Sequence, residues 1–152
     1  MNPSLPVHVE LHDWASARQR ALPLRMQVFV IEQGVPADIE EDDFDPQSRH
    51  ALACTADGTV VATGRLLPDG HVGRMAVDAR WRGRGLGAVV LQALLGEAAR
   101  QGLDEVLLHA QLHACAFYAR QGFRAEGEPF MEAGIPHCLM RRSLLACAGD
   151  ER

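Results

Sequence analysis

Residues 76–87 read Ala76-Val77-Asp78-Ala79-Arg80-Trp81-Arg82-Gly83-Arg84-Gly85-Leu86-Gly87 and decide how the chain is organised. The string lies between an apolar run that reads as a strand, His71–Val77, and a segment with an apolar stripe at helical spacing, Leu86, Val90, Leu94 and Ala98. Glycines at such a junction allow positive φ and close approach of a ligand to the backbone. The first N–H groups of a helix have no partner within it, and the helix dipole favours an anion there. Arg82 and Arg84 add charge-assisted donors. The spacing predicts a phosphate or pyrophosphate held mostly by the main chain of Arg82, Gly83, Arg84, Gly85, Leu86 and Gly87.

Working outward, Val7–Leu11 reads as a first strand and Trp14–Arg20 as helical. Pro23 fits the first position of a further helix, which Gly34 and Pro36 stop. Residues 35–48 read as an acidic loop. His50–Thr55, Thr59–Leu66 and His71–Val77 form a meander joined by turns at Gly58 and Gly70. The long helix ends at Gly102, and Glu105–Ala110 reads as a buried strand. A short helix, Ala114–Gln121, precedes two last strands that begin at Phe123 and Cys138, and Ala146–Arg152 reads as a frayed tail. The expected fold is α/β, with a mixed, mostly antiparallel sheet of six to seven strands and about four helices. A right-handed βαβ crossover is expected over residues 71–110.

Three phosphate-binding patterns compete for the glycine-rich string. The P-loop needs Lys before Ser or Thr, and the chain has no lysine. The dinucleotide fingerprint is met formally by Gly83, Gly85 and Ala88. However, Asp78–Arg82 interrupts the tight turn it requires, and an antiparallel meander precedes it. The third pattern, R-x-x-G-x-G, is met by Arg82, Gly85 and Gly87. Here the sequence resembles the GNAT superfamily of acyl-CoA N-acyltransferases. Met75–Gly87 resembles that family's pyrophosphate motif, and Phe117–Phe123 its second signature, a helix followed by Gly-Phe. The order of elements over roughly residues 7–144 agrees. Val28–Pro36 and Glu132–His137 resemble a branch of small bacterial members, the YjcF-like proteins.

The resemblance implies a sheet with a splayed parallel pair, here His71–Val77 and Glu105–Ala110, and acyl-CoA lying in the gap. It implies main-chain contacts from Met75, Ala76 and Val77 to the pantetheine arm, and an N–H near Met75 that polarises the thioester carbonyl. Gln111 takes the place of an asparagine that touches the arm in many members. Tyr118, the chain's one tyrosine, matches the residue that faces the CoA sulfur and protonates the leaving thiolate. The acid that many members carry before the glycine loop is absent, since that stretch reads Val72-Gly73-Arg74. A base is therefore expected among Glu32, Glu128, Glu132 and His137, with Glu132 and His137 foremost. The implied activity is transfer of an acetyl group from acetyl-CoA to a primary amine of a small molecule or peptide, by direct attack on the thioester. A non-catalytic acyl-CoA binding domain is the alternative, and a homodimer is a family habit.

Length and composition agree with one domain over residues 1–152, ordered over about 7–144, which the resemblance makes an acyltransferase domain. The net charge of −5 argues against a general nucleic-acid binder, although Arg74, Arg80, Arg82 and Arg84 form a local basic cluster. No apolar run is long enough to span a membrane. No tight Cys/His cluster predicts a metal, and no signal peptide is evident, so a reduced, cytoplasmic protein is expected. Cys54, Cys115 and Cys138 read as buried small hydrophobes, and the acidic run Glu40–Asp45 as a solvated face that could attract a cationic acceptor. His50, His71, His109 and His113 read as ordinary surface or packed histidines.

Overall fold

Alternation along two central strands sets the layers. β2 (Arg49–Thr55) and β3 (Val60–Leu66) are buried along almost their whole length, which requires cover on both faces. Leu52 and Cys54 of β2 pack against Trp14, Ala17 and Ala21 of α1 (Trp14–Arg25). Ala51 and Ala53 turn the other way, into the core built on α3 (Leu86–Arg100). The α3 stripe Leu86, Val90, Leu94 and Ala98 is buried, as its spacing predicts, with Leu91 and Leu95 broadening it.

The computed structural model describes residues 7–145, so the tail expected at Ala146–Arg152, with Cys147, lies outside it. With β1 (Val7–His12), β4 (His71–Val77), β5 (Glu105–Gln111), β6 (Arg124–Glu132) and β7 (Ile135–Ser143), the sheet has seven strands in the order β1-β2-β3-β4-β5-β7-β6. One neighbouring pair, β4 with β5, is parallel. It bridges only at His71–Leu107 and Val72–Leu108, and beyond these the two strands part. The splay forms where β4 bulges: Thr63 pairs with Ala76 and Arg65 with Gly73, leaving Arg74 and Met75 opposite Gly64 alone. Arg74 takes φ 48°, an uncommon conformation for a side-chain-bearing residue. Gly64 sits in tight space. A Cβ there would lie 2.5 Å from Sδ of Met75 and 3.0 Å from Leu94 and Val90.

Two expectations need correction. Pro23 does not open a new helix. It sits inside α1, which runs from its Asp13 cap to Arg25 and continues into a π-helical stretch, Met26–Glu32. Packing of the α1 face on the sheet overrides the usual interior penalty of proline. The segment 35–48 is also not a plain acidic loop. It contains α2 (Ala37–Glu40) and a short 3-10 turn at Asp45–Gln47. Nor are all its acids solvated, because Glu40 and Asp45 are buried. Arg25 donates to Oε2 of Glu40 at 3.0 Å and to both Asp45 oxygens at 2.8 and 3.0 Å. Arg65 donates to Asp45 and Asp42, and Arg74 to Asp42 and the Glu40 carbonyl. Three arginines and three carboxylates thus close a neutral cluster that ties the segment to α1, β3 and β4. A carboxylate buried without such partners would cost several kcal/mol.

Candidate active site

The gap between β4 and β5 opens into two cavities that share Tyr118. α4 (Cys115–Arg120) carries this residue, and a 3-10 turn at Leu112–Ala114 leads into it from the end of β5.

The first cavity, about 520 Å³, lies between the π-helical stretch, β4 and the start of α3. Val28, Met75, Val77, Gly87 and Phe117 line it. At its mouth, Gly83 and Gly85 both take φ 80°, and a Cβ on either would meet nothing within 4 Å. These glycines are there for backbone conformation, which other residues adopt at a cost of roughly 1–2 kcal/mol. Gly85 is the N-cap of α3, and no side chain caps the helix. The first intrahelical bond runs from Val89 N to Gly85 O, so the preceding N–H groups remain available to an anion. The basic cluster disperses on folding. Arg80 pairs with Asp78, Arg84 lies over the Trp81 ring, and Arg74 joins the buried cluster. Arg82 alone lines the cavity, donating to Glu32 at 2.6 Å and to the Val77 carbonyl at 3.1 Å. Glu32 is therefore held at this mouth by an arginine and does not line the second cavity.

The second cavity, about 450 Å³, lies on the other side of Tyr118, under the 35–48 segment. Phe29, Phe44, His71, His109, Glu132 and His137 are among its walls. Glu132 closes β6 and His137 follows on β7, with a two-residue turn at Ala133-Gly134 where both φ values are positive. His137 donates from Nδ1 to the Ile135 carbonyl at 2.7 Å, and its Nε2 lies 3.9 Å from Oε2 of Glu132. The other Glu132 oxygen accepts from Nδ1 of His109 at 2.8 Å. Glu128 is exposed on β6 and lines neither cavity. Gln111 borders the second cavity, with its amide engaged by Gln33 at 2.8 Å and His113 at 2.7 Å.

Tyr118 is nine-tenths buried among Phe117, Phe123 and the core. Burial, with Cys115 adding to it, pushes its phenol up to about 12, so it remains a neutral donor across the physiological range. Cys115 and Cys138 lie with sulfurs 3.1 Å apart, and burial together with the Cys138 contact raises the Cys115 thiol to about 11. Neither lines a cavity.

Of the expected residues, the structure gathers Met75, Val77, Arg82 and Gly87 at the first cavity, Gln111, Glu132 and His137 at the second, and Tyr118 and Met75 at both. It also places His71 and His109 in the second cavity, where sequence reading took both for ordinary histidines. Their signal was alternation. His109 and Gln111 of β5 share a face with His71 of β4, while Leu108 and Ala110 are buried on the other. Among the described residues, His8, Glu10 and Cys54 bring metal-ligating atoms within 4.8 Å of one another. There Arg20 already donates to both Glu10 and the Cys54 sulfur, supplying the cation itself.

Comparison with known proteins agrees with this arrangement. The family described as Acetyltransferase (GNAT) domain matches residues 16–144. The uncharacterized N-acetyltransferase YjcF of Bacillus subtilis is 35% identical over 125 residues, covering 80% of this chain and 89% of the relative. An acyl-CoA N-acyltransferase from Pseudomonas aeruginosa superposes with a TM-score of 0.81 at 35% identity, covering 90% of this chain and 99% of that one. Escherichia coli ElaA superposes with a TM-score of 0.80 at 30% identity, covering 89% and 99%. No described helix is long and apolar enough to cross a membrane. The splayed parallel pair, the uncapped glycine-flanked helix start and these matches lead to one assignment: the chain belongs to the GNAT acetyltransferase family, enzymes that transfer an acyl group from acyl-CoA.

Proposed function

We propose that the protein transfers an acetyl group from acetyl-CoA to a primary amine of a small molecule or peptide, by direct attack on the thioester. The observation that carries this reading is Tyr118 standing between two cavities, one opening at an uncapped, glycine-flanked helix start and the other lined by carboxylate and imidazole. The pyrophosphate sits on the N–H groups of Arg82–Gly87, and the pantetheine arm runs along Met75, Ala76 and Val77, where β4 has left β5. An N–H near Met75 polarises the thioester carbonyl. Gln111 lies beyond the arm, at the edge of the acceptor cavity.

The amine nitrogen attacks the carbonyl carbon and the C–S bond breaks. The departing sulfur gains negative charge beside Tyr118. Full transfer from a phenol near 12 to a thiolate of ordinary basicity, near ~8.5, is uphill. Tyr118 therefore acts first by donating a hydrogen bond to the developing thiolate, and the proton follows as the dry site raises the sulfur's basicity. Direct attack is favoured over an acyl-cysteine route because neither described thiol near Tyr118 lines a cavity and Cys115 is held far from its thiolate form. An ammonium acceptor suits the second cavity. The buried arginine–carboxylate cluster is internally neutral, which leaves Asp69 and Glu132 as the uncompensated charges on its wall when the histidines are neutral. Free thiols at Cys54, Cys115 and Cys138 support a reducing, cytoplasmic setting.

The test is a thermal shift with acetyl-CoA, followed by thiol release with benzylamine, spermidine and a peptide with a free N-terminus. Acetyl-CoA should stabilise the protein and at least one amine should release CoA thiol. Stabilisation without release from any amine would favour an acyl-CoA binding domain instead.

A further inference from the structure

We propose that His109 is the base that takes the proton from the acceptor ammonium, with Glu132 as its positioning residue. This rests on the acetyl-transfer reading above. The ammonium sheds two protons in becoming an amide: one ends on the CoA sulfur, and the other leaves through the base to solvent.

The geometry singles out one imidazole among three. A carboxylate only accepts, so the 2.8 Å contact places the hydrogen on Nδ1 of His109 and leaves the Nε2 lone pair of the neutral ring unclaimed by it. His109 is the first β5 residue past the last bridge to β4, so it stands where the strands open and the thioester must enter. Its side chain is 39% exposed, so a proton can leave it to water. His137 is 7% exposed, with Nδ1 spent on the Ile135 carbonyl and Nε2 turned toward Glu132. His71 lies beside Leu107, inside the paired part of the strands, and its Nδ1 is tied to Asp69 of the preceding turn.

The rings pack edge to face, His71 on His109 at 5.7 Å and His109 on Phe130 at 5.1 Å, which holds the His109 plane. The ionisable groups on the face of His109 are Glu132 and Glu126 from β6, His137 and Arg141 from β7, Glu105 from its own strand, and His71 with Asp69 of the turn before β4; Arg141 is paired with both Glu105 and Glu126. Across the cavity, Arg74 and Asp42 neutralise each other. Glu132 is thus the one carboxylate in contact with the ring. It fixes the tautomer and stabilises the imidazolium as it forms.

Steady-state kinetics with acetyl-CoA and the fastest amine of the panel test this. His109→Gln should lower kcat by at least ~10²-fold and remove the acid limb of the pH–rate profile, while the melting shift caused by acetyl-CoA remains. In His109→Ala, added imidazole should restore part of the rate, which loss of a structural ring would not permit. Glu132→Gln should lower kcat by about 10-fold with little change in the amine KM, and Glu132→Asp should recover part of it. Wild-type rate and profile in His109→Gln would overturn the assignment, as would loss of the acid limb only in His71→Gln or His137→Gln. Absence of thiol release with every amine in the wild-type protein would instead remove the transferase reading, and this inference with it.

Discussion

The two sides of Tyr118 are built from different materials. The side proposed for the coenzyme is main chain: two glycines at φ 80°, an uncapped helix start and a strand edge freed by splaying. The side proposed for the acceptor is side chain: carboxylates, three imidazoles and aromatic rings drawn from separate stretches of the chain. A main-chain site depends on a few φ values and tolerates exchange of the side chains around it. A side-chain site depends on each member and on whatever holds the contributing segments in register. That contrast makes the two halves fail differently.

The largest effect is expected at their shared wall. Tyr118→Phe keeps the ring and removes the donor, so kcat should fall by ~10²–10⁴ while acetyl-CoA affinity stays nearly constant. A near-normal kcat, with chemistry shown to be rate-limiting, would reduce Tyr118 to packing.

Next comes the cluster that holds the acceptor side. Asp45→Ala leaves Arg25 and Arg65 facing a gap in a buried site and should cost about 3–5 kcal/mol of unfolding free energy in a denaturant titration. If it costs less than 1 kcal/mol, the 35–48 segment does not depend on this cluster.

The same group gives a pH dependence. Burial alone would raise the Asp45 carboxyl, but hydrogen bonds and charge from Arg25, with Asp42 N–H and Arg65, bring it down from 3.8 to about 2. A carboxyl with a depressed folded value stabilises the native state above its unfolded value, and that contribution is lost as pH falls through the folded one. Stability should therefore drop by roughly 2 kcal/mol between pH 4 and pH 2 through this group. Glu40, raised from 4.5 by burial against the pull of Arg74 and Arg25, works in the opposite direction, but its contribution changes above that pH and leaves this range nearly untouched. Denaturation midpoints of wild type and Asp45→Asn across that range would check it, since the variant should lose the Asp45 part of the slope.

Smaller effects separate backbone from side chain on the coenzyme side. Gly85→Val puts a β-branched residue at φ 80° and should weaken CoA binding by ~10–100-fold. Arg82→Ala removes an exposed guanidinium already paired with Glu32, and should weaken binding by only about 1 kcal/mol. Isothermal titration of CoA into both variants tests the ordering. Equal losses would mean that the coenzyme side relies on side chains after all.

The same division explains what could be read from the amino-acid string. The backbone turn at Arg82–Gly87 was legible because it is contiguous, and positive φ at Gly83 and Gly85 leaves glycine as its mark. The sheet, with its parallel pair and meander, was legible from alternation and turn residues such as Gly58 and Gly70. Pro23 misled because local preference puts proline at a helix start, whereas packing against the sheet carries α1 through it. Glu40 and Asp45 misled because their partners Arg25, Arg65 and Arg74 lie outside the acidic run, and no local pattern links them. The place of His109 in the second cavity was not visible for the same reason, since its partner Glu132 is 23 positions away on another strand.

The bulge on β4 also bears on how the chain can change over generations. A carbon added at Gly64 would meet the Met75 thioether, and Met75 is there because the bulge turns it onto the strand opposite. Substitution at 64 needs that side chain to swing aside and Leu94 and Val90 to give slightly, whereas shortening residue 75 first removes the nearest obstruction. Drift at these two positions is therefore easier in one order, with residue 75 changing before residue 64. Because Met75 also lines both cavities, that order passes through the substrate gap, so a change in what the enzyme accepts would come before any repacking behind it.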